Sequence, residues 1–369
     1  MSGKTAVVDR SGLTAGPAAC KNSLVSDGTA CIHTQNATTD RGPQMIIAQT
    51  PLRLSFLGGG TDFEDFYSVN GGGAVLSSAI DKFTFVIVKQ RFDDMIYLNY
   101  SRKEIVSRVD DVRHDLIREA MRMTGVEKGV EITTMADVPS EGTGLGSSSS
   151  ITVGLLQALH TYRGVSVTAE DLARQACQVE IDILGKPIGK QDQYISAYGN
   201  MRFITFQRDT ISMDRVDLSD ECKRKLNENL LLFYTGRTRQ ASAILTEQKQ
   251  NIGDRLDVLK AMAGLASEAR QALLSGAYDE FGELLHRGWD LKKQLSSNIT
   301  SGEIDGMYRA ARDAGAVGGK VAGAGGGGFL LLYCPAAKRD DVRASLGHLR
   351  ELPFRFHNDG SKVIFNYRN

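Results

Sequence analysis

Residues 137–159 read DVPSEGTGLGSSSSITVGLLQAL. A β-like run over 130–135 leads into this segment, and Gly142, Gly144 and Gly146 alternate in its loop. A helix then runs over 147–162, with Ile151, Leu155, Leu156 and Leu159 along one face. A strand that turns through alternating glycines into a helix brings backbone N–H groups and the unpaired amides of the first helical turn to one point. That point also carries the positive end of the helix dipole and takes phosphate readily. Two readings fit: a phosphate cradle with serine hydroxyls at its rim, or a plain Gly/Ser turn capped by Ser147. The strand before and the helix after favour the cradle.

Glycine is concentrated elsewhere too. Five clusters hold 17 of the 39 glycines: 58–60, 71–73, 142/144/146, 315/318/319 and 323/325–328. No G-x-x-x-x-G-K-[ST] loop occurs. Residues 323–328 match G-x-G-x-x-G formally. They run into the strand 329–333 instead of opening a helix, so the dinucleotide reading fails; a tight turn before a buried strand and a loop that closes on a ligand both fit. In PLRLSFLGGGTD (51–62), apolar alternation carries Arg53 inward, and a glycine turn then presents Thr61 and Asp62. A carboxylate there can accept hydrogen bonds from sugar hydroxyls, and an arginine can neutralise phosphate. A hairpin turn with a surface aspartate fits the same residues. In GKPIGKQDQYISAYGN (185–200), Lys190 stands two residues before Asp192. The pair is either a carboxylate kept ionised to receive a hydroxyl proton or a solvated charge pair. Glu180 lies just upstream, on a helix read over 168–184 and opened by Thr168 and Asp171.

The charge balance excludes one class. Among 369 residues, 44 Lys+Arg face 44 Asp+Glu, which argues against a dedicated nucleic-acid binder. No apolar run approaches ~18 residues, so no membrane span is expected. Five cysteines without a C-x-x-C pair fit a reducing, cytoplasmic setting. Residues 1–44 read as a disordered tail. Strands are expected at 46–56, 73–80, 83–90 and 95–99, and a helix at 111–124. The second half reads as helices over 238–295 with breaks near Gly253 and Gly276. A helix over 302–314, a strand at 329–333, a helix over 338–347 and strands at 352–356 and 362–367 follow. The class is α+β in two lobes, 45–215 and 216–369, parting near 208–222.

Taken in order, PLRLSFLGGGTD, VPSEGTGLGSSSS (138–150) and KVAGAGGGGFLLLYC (320–334) resemble the three motifs of the GHMP kinases. These are small-molecule kinases such as galactokinase, homoserine kinase, mevalonate kinase and phosphomevalonate kinase. The resemblance spans about 45–369. Within the superfamily it is nearest to the D-glycero-D-manno-heptose 7-phosphate kinases, through PLR-x-S-x-x-GGGTD, the DQY at 192–194 and YTG-x-x-R at 234–239. It implies a ribosomal protein S5 domain 2-like N-terminal lobe and a ferredoxin-like C-terminal lobe, with ATP between them. The likeness assigns Gly142, Thr143, Gly144, Leu145, Gly146, Ser147, Ser148 and Ser149 to the nucleotide phosphates, Ser148 and Glu180 to Mg2+, and Asp192 to the acceptor hydroxyl. Arg53 steadies Asp192 and the moving phosphoryl group.

By the same likeness, Gly59, Gly60, Thr61, Asp62, Gly325 and Gly326 shape the substrate end. Galactokinase has Glu and His where Gly59 and Gly60 stand, which leaves room for a different or larger sugar. Lys190, Arg237, Arg239 and Arg102 are candidates for a distal phosphate. The implied activity is ATP-dependent phosphorylation of the anomeric hydroxyl of a heptose 7-phosphate, for nucleotide-activated heptose in surface polysaccharide. The partner is a small-molecule sugar phosphate, with no nucleic acid and no membrane, and the protein is a monomer or homodimer. A fucokinase-like or glucuronokinase-like sugar 1-kinase and a non-catalytic sugar/ATP sensor are the alternatives.

Overall fold

The computed structural model describes residues 44–139, 142–237 and 241–368. Strand β1 (Gln44–Leu57) changes character along its length. From Gln44 to Thr50 buried and half-buried residues alternate, as in a strand with one wetter face. From Pro51 to Leu57 every residue is buried, so protein covers both sides. The change coincides with a register shift against the next strand at Pro51/Leu52, where proline has no N–H for the ladder. Arg53 lies in this doubly covered half.

The other strands are β2 (Gly73–Gln90), β3 (Ile96–Asn99), β4 (Lys103–Val106), β5 (Val130–Ala136), β6 (Met201–Gln207), β7 (Thr210–Arg215), β8 (Leu230–Tyr234), β9 (Gly318–Val321), β10 (Phe329–Tyr333), β11 (Arg350–Glu351) and β12 (Lys362–Arg368). Among the described residues eight strands form one sheet, ordered β12-β1-β2-β5-β3-β4, with β6 on the first half of β2 and β7 beyond it. Among the described strands only the β3–β5 pair is parallel. A second, antiparallel sheet is ordered β11-β8-β10-β9. The helices are α1 (Glu64–Tyr67), α2 (Asp115–Thr124), α3 (Ser147–Arg163), α4 (Ala169–Cys177), α5 (Gln191–Tyr198), α6 (Asp220–Glu228), α7 (Ala241–Gln250), α8 (Leu256–Ser275), α9 (Tyr278–Lys292), α10 (Gly302–Asp313) and α11 (Arg339–Ser345). None is long and apolar enough to cross a membrane.

The mixed α+β architecture holds. The two sheets share a core: Leu54 and Phe56 of β1 pack in one cluster with Phe281 and Leu284 of α9 and with Leu232 and Leu331 of the second sheet. The 45–215 and 216–369 halves therefore meet through common apolar contacts, and β12 returns the end of the chain to β1. The 208–222 stretch holds β7 and the start of α6. The expected tail lies outside the described residues, apart from Gln44.

Three expectations change. The runs at 73–80 and 83–90 are one strand, because β2 is long enough to pair β6 with its first half and β5 with its second. The helix expected over 168–184 is α-helical only to Cys177, and the wider π turn Gln178–Ile183 follows. Its start is as expected: Thr168 and Asp171 cap each other's backbone. Residues 352–356 form no strand, only a bridge from Phe356 to Ile80.

Gly58 closes the turn after β1 with φ +84°, and a Cβ there falls 1.8 Å from the Ala74 carbonyl oxygen. Gly58→Ala should lower unfolding stability by roughly 2–5 kcal/mol, from left-handed strain plus overpacking. Gly264, within α8 and facing open space, should gain about 0.5–1 kcal/mol as alanine. Urea unfolding of the two variants measures both.

Candidate active site

The site begins with Arg53. Its Nε donates to Asp192 Oδ1 at 2.7 Å and its Nη2 to Asp192 Oδ2 at 2.6 Å, a two-pronged ion pair. Its Nη1 donates to the Gly144 carbonyl, and its backbone N–H donates to the Leu145 carbonyl. One buried side chain on β1 thus ties the start of α5 to the glycine loop before α3.

In that loop Gly142, Gly144 and Gly146 all have positive φ, 69°, 76° and 78°. This is why the glycines alternate: each reverses the chain in a conformation that side chains avoid. The residues between them turn inward. Thr143 and Leu145 are buried, and Leu145 belongs to the core. Gly146 is the N-cap of α3, so Ser147 is the first helical residue and not the cap.

The second glycine run closes against the first, backbone on backbone. A Cβ on Gly144 falls 2.3 Å from the Ala322 carbonyl oxygen, and one on Gly323 falls 2.5 Å from the Gly144 Cα. The Phe329 N–H donates to the Thr143 carbonyl at 3.2 Å. Gly142, Thr143, Gly144, Gly146, Ser147, Ser148, Ser149, Gly323, Gly325 and Gly327 line one cleft with Arg53, Gly59, Gly60, Asp62, Glu180 and Asp192.

Two carboxyls join Asp192 there. Asp62 is buried and accepts from the N–H groups of Gly60 (2.9 Å) and Gln191 (3.2 Å). Burial raises its pKa, the charge of Asp192 adds to that, and the two N–H bonds oppose it. Gly189 has no room for a side chain, because a Cβ there meets Asp62 Oδ2 at 2.0 Å. Glu180 is turned inward by the π turn. It accepts from Ser148 Oγ at 2.8 Å and from Gln193 Nε2 at 2.7 Å. Burial raises its pKa, and the neighbouring Lys186 charge is the largest opposing effect.

Other residues singled out in the sequence stand elsewhere. Thr61 is locked in its own turn, donating to Gly58 and Ala74 carbonyls and accepting from the Ala74 N–H, and does not line the cleft. Lys190 turns outward to Glu64, 2.8 Å away, and toward the Tyr67 ring. Arg237 pairs with Glu303 beside a separate hollow with Met307 and His348. Gly326 donates its N–H to the Ile299 carbonyl, with Gly325 rather than Gly326 at the cleft wall. Arg102 is exposed in the β3–β4 turn. Arg239 lies outside the described residues. Lys186 and Lys292 line the cleft and were not singled out. Lys292 was legible in principle. It recurs with Phe281, Leu285 and Trp289 on the buried face of α9, where a lysine is out of place.

Residues 111–200 match the GHMP kinases N terminal domain and residues 269–349 the GHMP kinases C terminal domain. The chain thus carries both the N-terminal and the C-terminal domain of the GHMP kinases. It is a phosphotransferase with an alcohol group as acceptor, and ATP is its donor. The chain is 28% identical over 336 residues to the D-glycero-alpha-D-manno-heptose 7-phosphate kinase of Campylobacter jejuni, covering 86% of this chain and 98% of that protein. It is 29% identical over 231 residues to a mevalonate kinase of Methanothermobacter thermautotrophicus, covering 62% of this chain and 73% of that protein. A crystal structure of a putative sugar kinase from Campylobacter jejuni superposes with a TM-score of 0.72 at 25% identity, over 88% of this chain and 98% of that one. The fold is also that of a D-glycero-D-manno-heptose 1-phosphate kinase from Bacteroides thetaiotaomicron, with TM-score 0.73 and 24% identity over 87% and 99% of the two chains.

In this kinase the Arg53 fork cannot be replaced by a single ammonium. Arg53→Lys should lower kcat about 100-fold or more, since a misplacement of about 1 Å is enough for that. ADP release, with circular dichroism to confirm folding, checks it.

Proposed function

We propose that this GHMP kinase transfers the γ-phosphoryl group of ATP to the anomeric hydroxyl of a heptose 7-phosphate, giving a 1,7-bisphosphate for nucleotide-activated heptose synthesis in the cytoplasm. The observation that carries the reading is the shared cleft. The phosphate-cradling loop 142–149 and the Arg53-clamped Asp192 face one space, with Asp62 at its acceptor end. The side-chain-free wall at Gly59 and Gly60 suits a large acceptor. The likeness to a heptose 7-phosphate kinase over nearly its whole length supports the choice of sugar.

Phosphoryl transfer asks a protein mainly for positioning and charge compensation. The loop amides and the start of α3 hold the nucleotide phosphates. Arg53 fixes the plane and direction of the Asp192 carboxylate, which orients the acceptor hydroxyl and receives its proton. Asp62 hydrogen-bonds a neighbouring sugar hydroxyl. Ser148 and Glu180 would hold Mg2+: their oxygens are 2.8 Å apart and Glu180 is buried. Two protein oxygens are a donor set that suits a hard cation completing its shell with phosphates and water. When bound, the ion neutralises phosphate charge.

Three outcomes are expected. Across heptose 7-phosphate, hexose 6-phosphates and free sugars, ADP release should be fastest with heptose 7-phosphate; preference for an unphosphorylated sugar would refute the assignment. Asp192→Asn should cut kcat by about 10²–10⁴-fold, and near-normal turnover would remove Asp192 as the base. Glu180→Gln should weaken the Mg2+ dependence of ATP binding by about tenfold or more in a calorimetric titration.

A further inference from the structure

A cleft that takes an anionic acceptor needs a cation not already committed to the protein. Among the described residues three cationic side chains line it: Arg53, Lys186 and Lys292. Two are engaged by carboxylates. Arg53 forks onto Asp192. Lys186 Nζ is 3.7 Å from Glu180 Oε1 and 3.4 Å from Ser148 Oγ, at the proposed metal end. Lys292 pairs with no carboxylate among the described residues. Its ammonium donates to one acceptor there, the Gly323 carbonyl, although an ammonium carries three N–H donors.

Lys292 is also deep, only 4% exposed. A buried ammonium without a counter-ion is destabilising, so its presence at a cleft wall calls for a ligand. Lys320 on β9 makes the contrast. It is equally buried, yet it holds the Ser55 and Phe56 carbonyls at 2.8 and 3.0 Å and does not line the cleft, so β1 and β9 account for it. The charged groups facing Lys292 are Arg53 of β1, Asp62 in the turn after β1, Asp192 at the start of α5 and Lys320 of β9. Glu180, at the proposed metal end, is not among them. Lys292 therefore stands at the acceptor end.

We propose that Lys292 is a substrate-contacting residue whose ammonium donates to an anionic or hydroxyl oxygen of the acceptor sugar phosphate, beside Asp62 and Asp192. The inference deepens the sugar-phosphate reading above and rests on it. Burial pushes Lys292 down to about 8 and the charge of Arg53 pushes the same way, with Asp62 and Asp192 pulling against them. The ammonium is present below that pH and lost above it, so acceptor binding weakens as pH rises through it, while ATP binding at the other end does not follow.

The test measures ADP release from pH 6.5 to 9.5, varying ATP and the acceptor separately. The acceptor is whichever sugar gives the highest kcat/KM in the panel above, so a wrong sugar assignment changes the acceptor and leaves this comparison intact. In the wild-type enzyme the acceptor KM should climb above about pH 8 while the ATP KM stays level; a flat acceptor KM overturns the proposal without any variant. Lys292→Met should raise the acceptor KM about 10–100-fold at pH 7, the worth of one charge-assisted hydrogen bond, and should abolish the basic limb. Lys292→Arg, charged throughout, should move that limb beyond pH 9.5. If Lys292 serves only to hold Gly323, Lys292→Met raises the ATP KM instead and leaves the acceptor KM and its limb unchanged, which refutes the proposal.

Discussion

The two-pronged pair between Arg53 and Asp192 is the interaction on which the site depends. Arg53 is reached from β1 at the point where that strand becomes covered on both sides, so its backbone is packed from either face. From there the guanidinium holds the carboxylate at the start of α5 and the Gly144 carbonyl together. The glycine loop before α3 and the Asp192 carboxylate are thereby fixed relative to one rigid strand, an arrangement that holds geometry better than two independent loops.

Backbone contact supplies the rest of the closure. The loops around Gly144 and Gly323 approach so closely that a Cβ on either collides with the other. This brings the first sheet's glycine loop and the turn before β10 to the same cleft. On the reading proposed above, a protein with equal numbers of acidic and basic residues holds polyanions through local groups: amides, a helix start and a few placed cations.

Much of this was legible because it is local. The alternation at Gly142, Gly144 and Gly146 follows from three successive left-handed turns, and such turns are written in the sequence as glycine. The Thr168–Asp171 cap was readable from its spacing. The π turn was not, because it leaves no periodic signature over six residues, yet it is what directs Glu180 at Ser148. Thr61 misled for the opposite reason. Its neighbours Gly60 and Asp62 line the cleft, but its hydroxyl is consumed by the Gly58 and Ala74 backbone of the same turn.

The sequence by itself determined the ordered glycine motifs, the strand-loop-helix at 130–163 and the choice of Arg53, Asp62, Glu180 and Asp192, which the structure gathers in one cleft. Each depends on φ freedom or on a short spacing. Only the tertiary structure decided which cations face the cleft. Lys190 sits two residues from Asp192 but is drawn outward by Glu64, and Arg237 is drawn aside by Glu303. Lys292, a hundred residues beyond Asp192 in the chain, is carried in on the buried face of α9. A lysine's reach and its choice of partner are set by packing between distant elements, and sequence spacing carries no record of that.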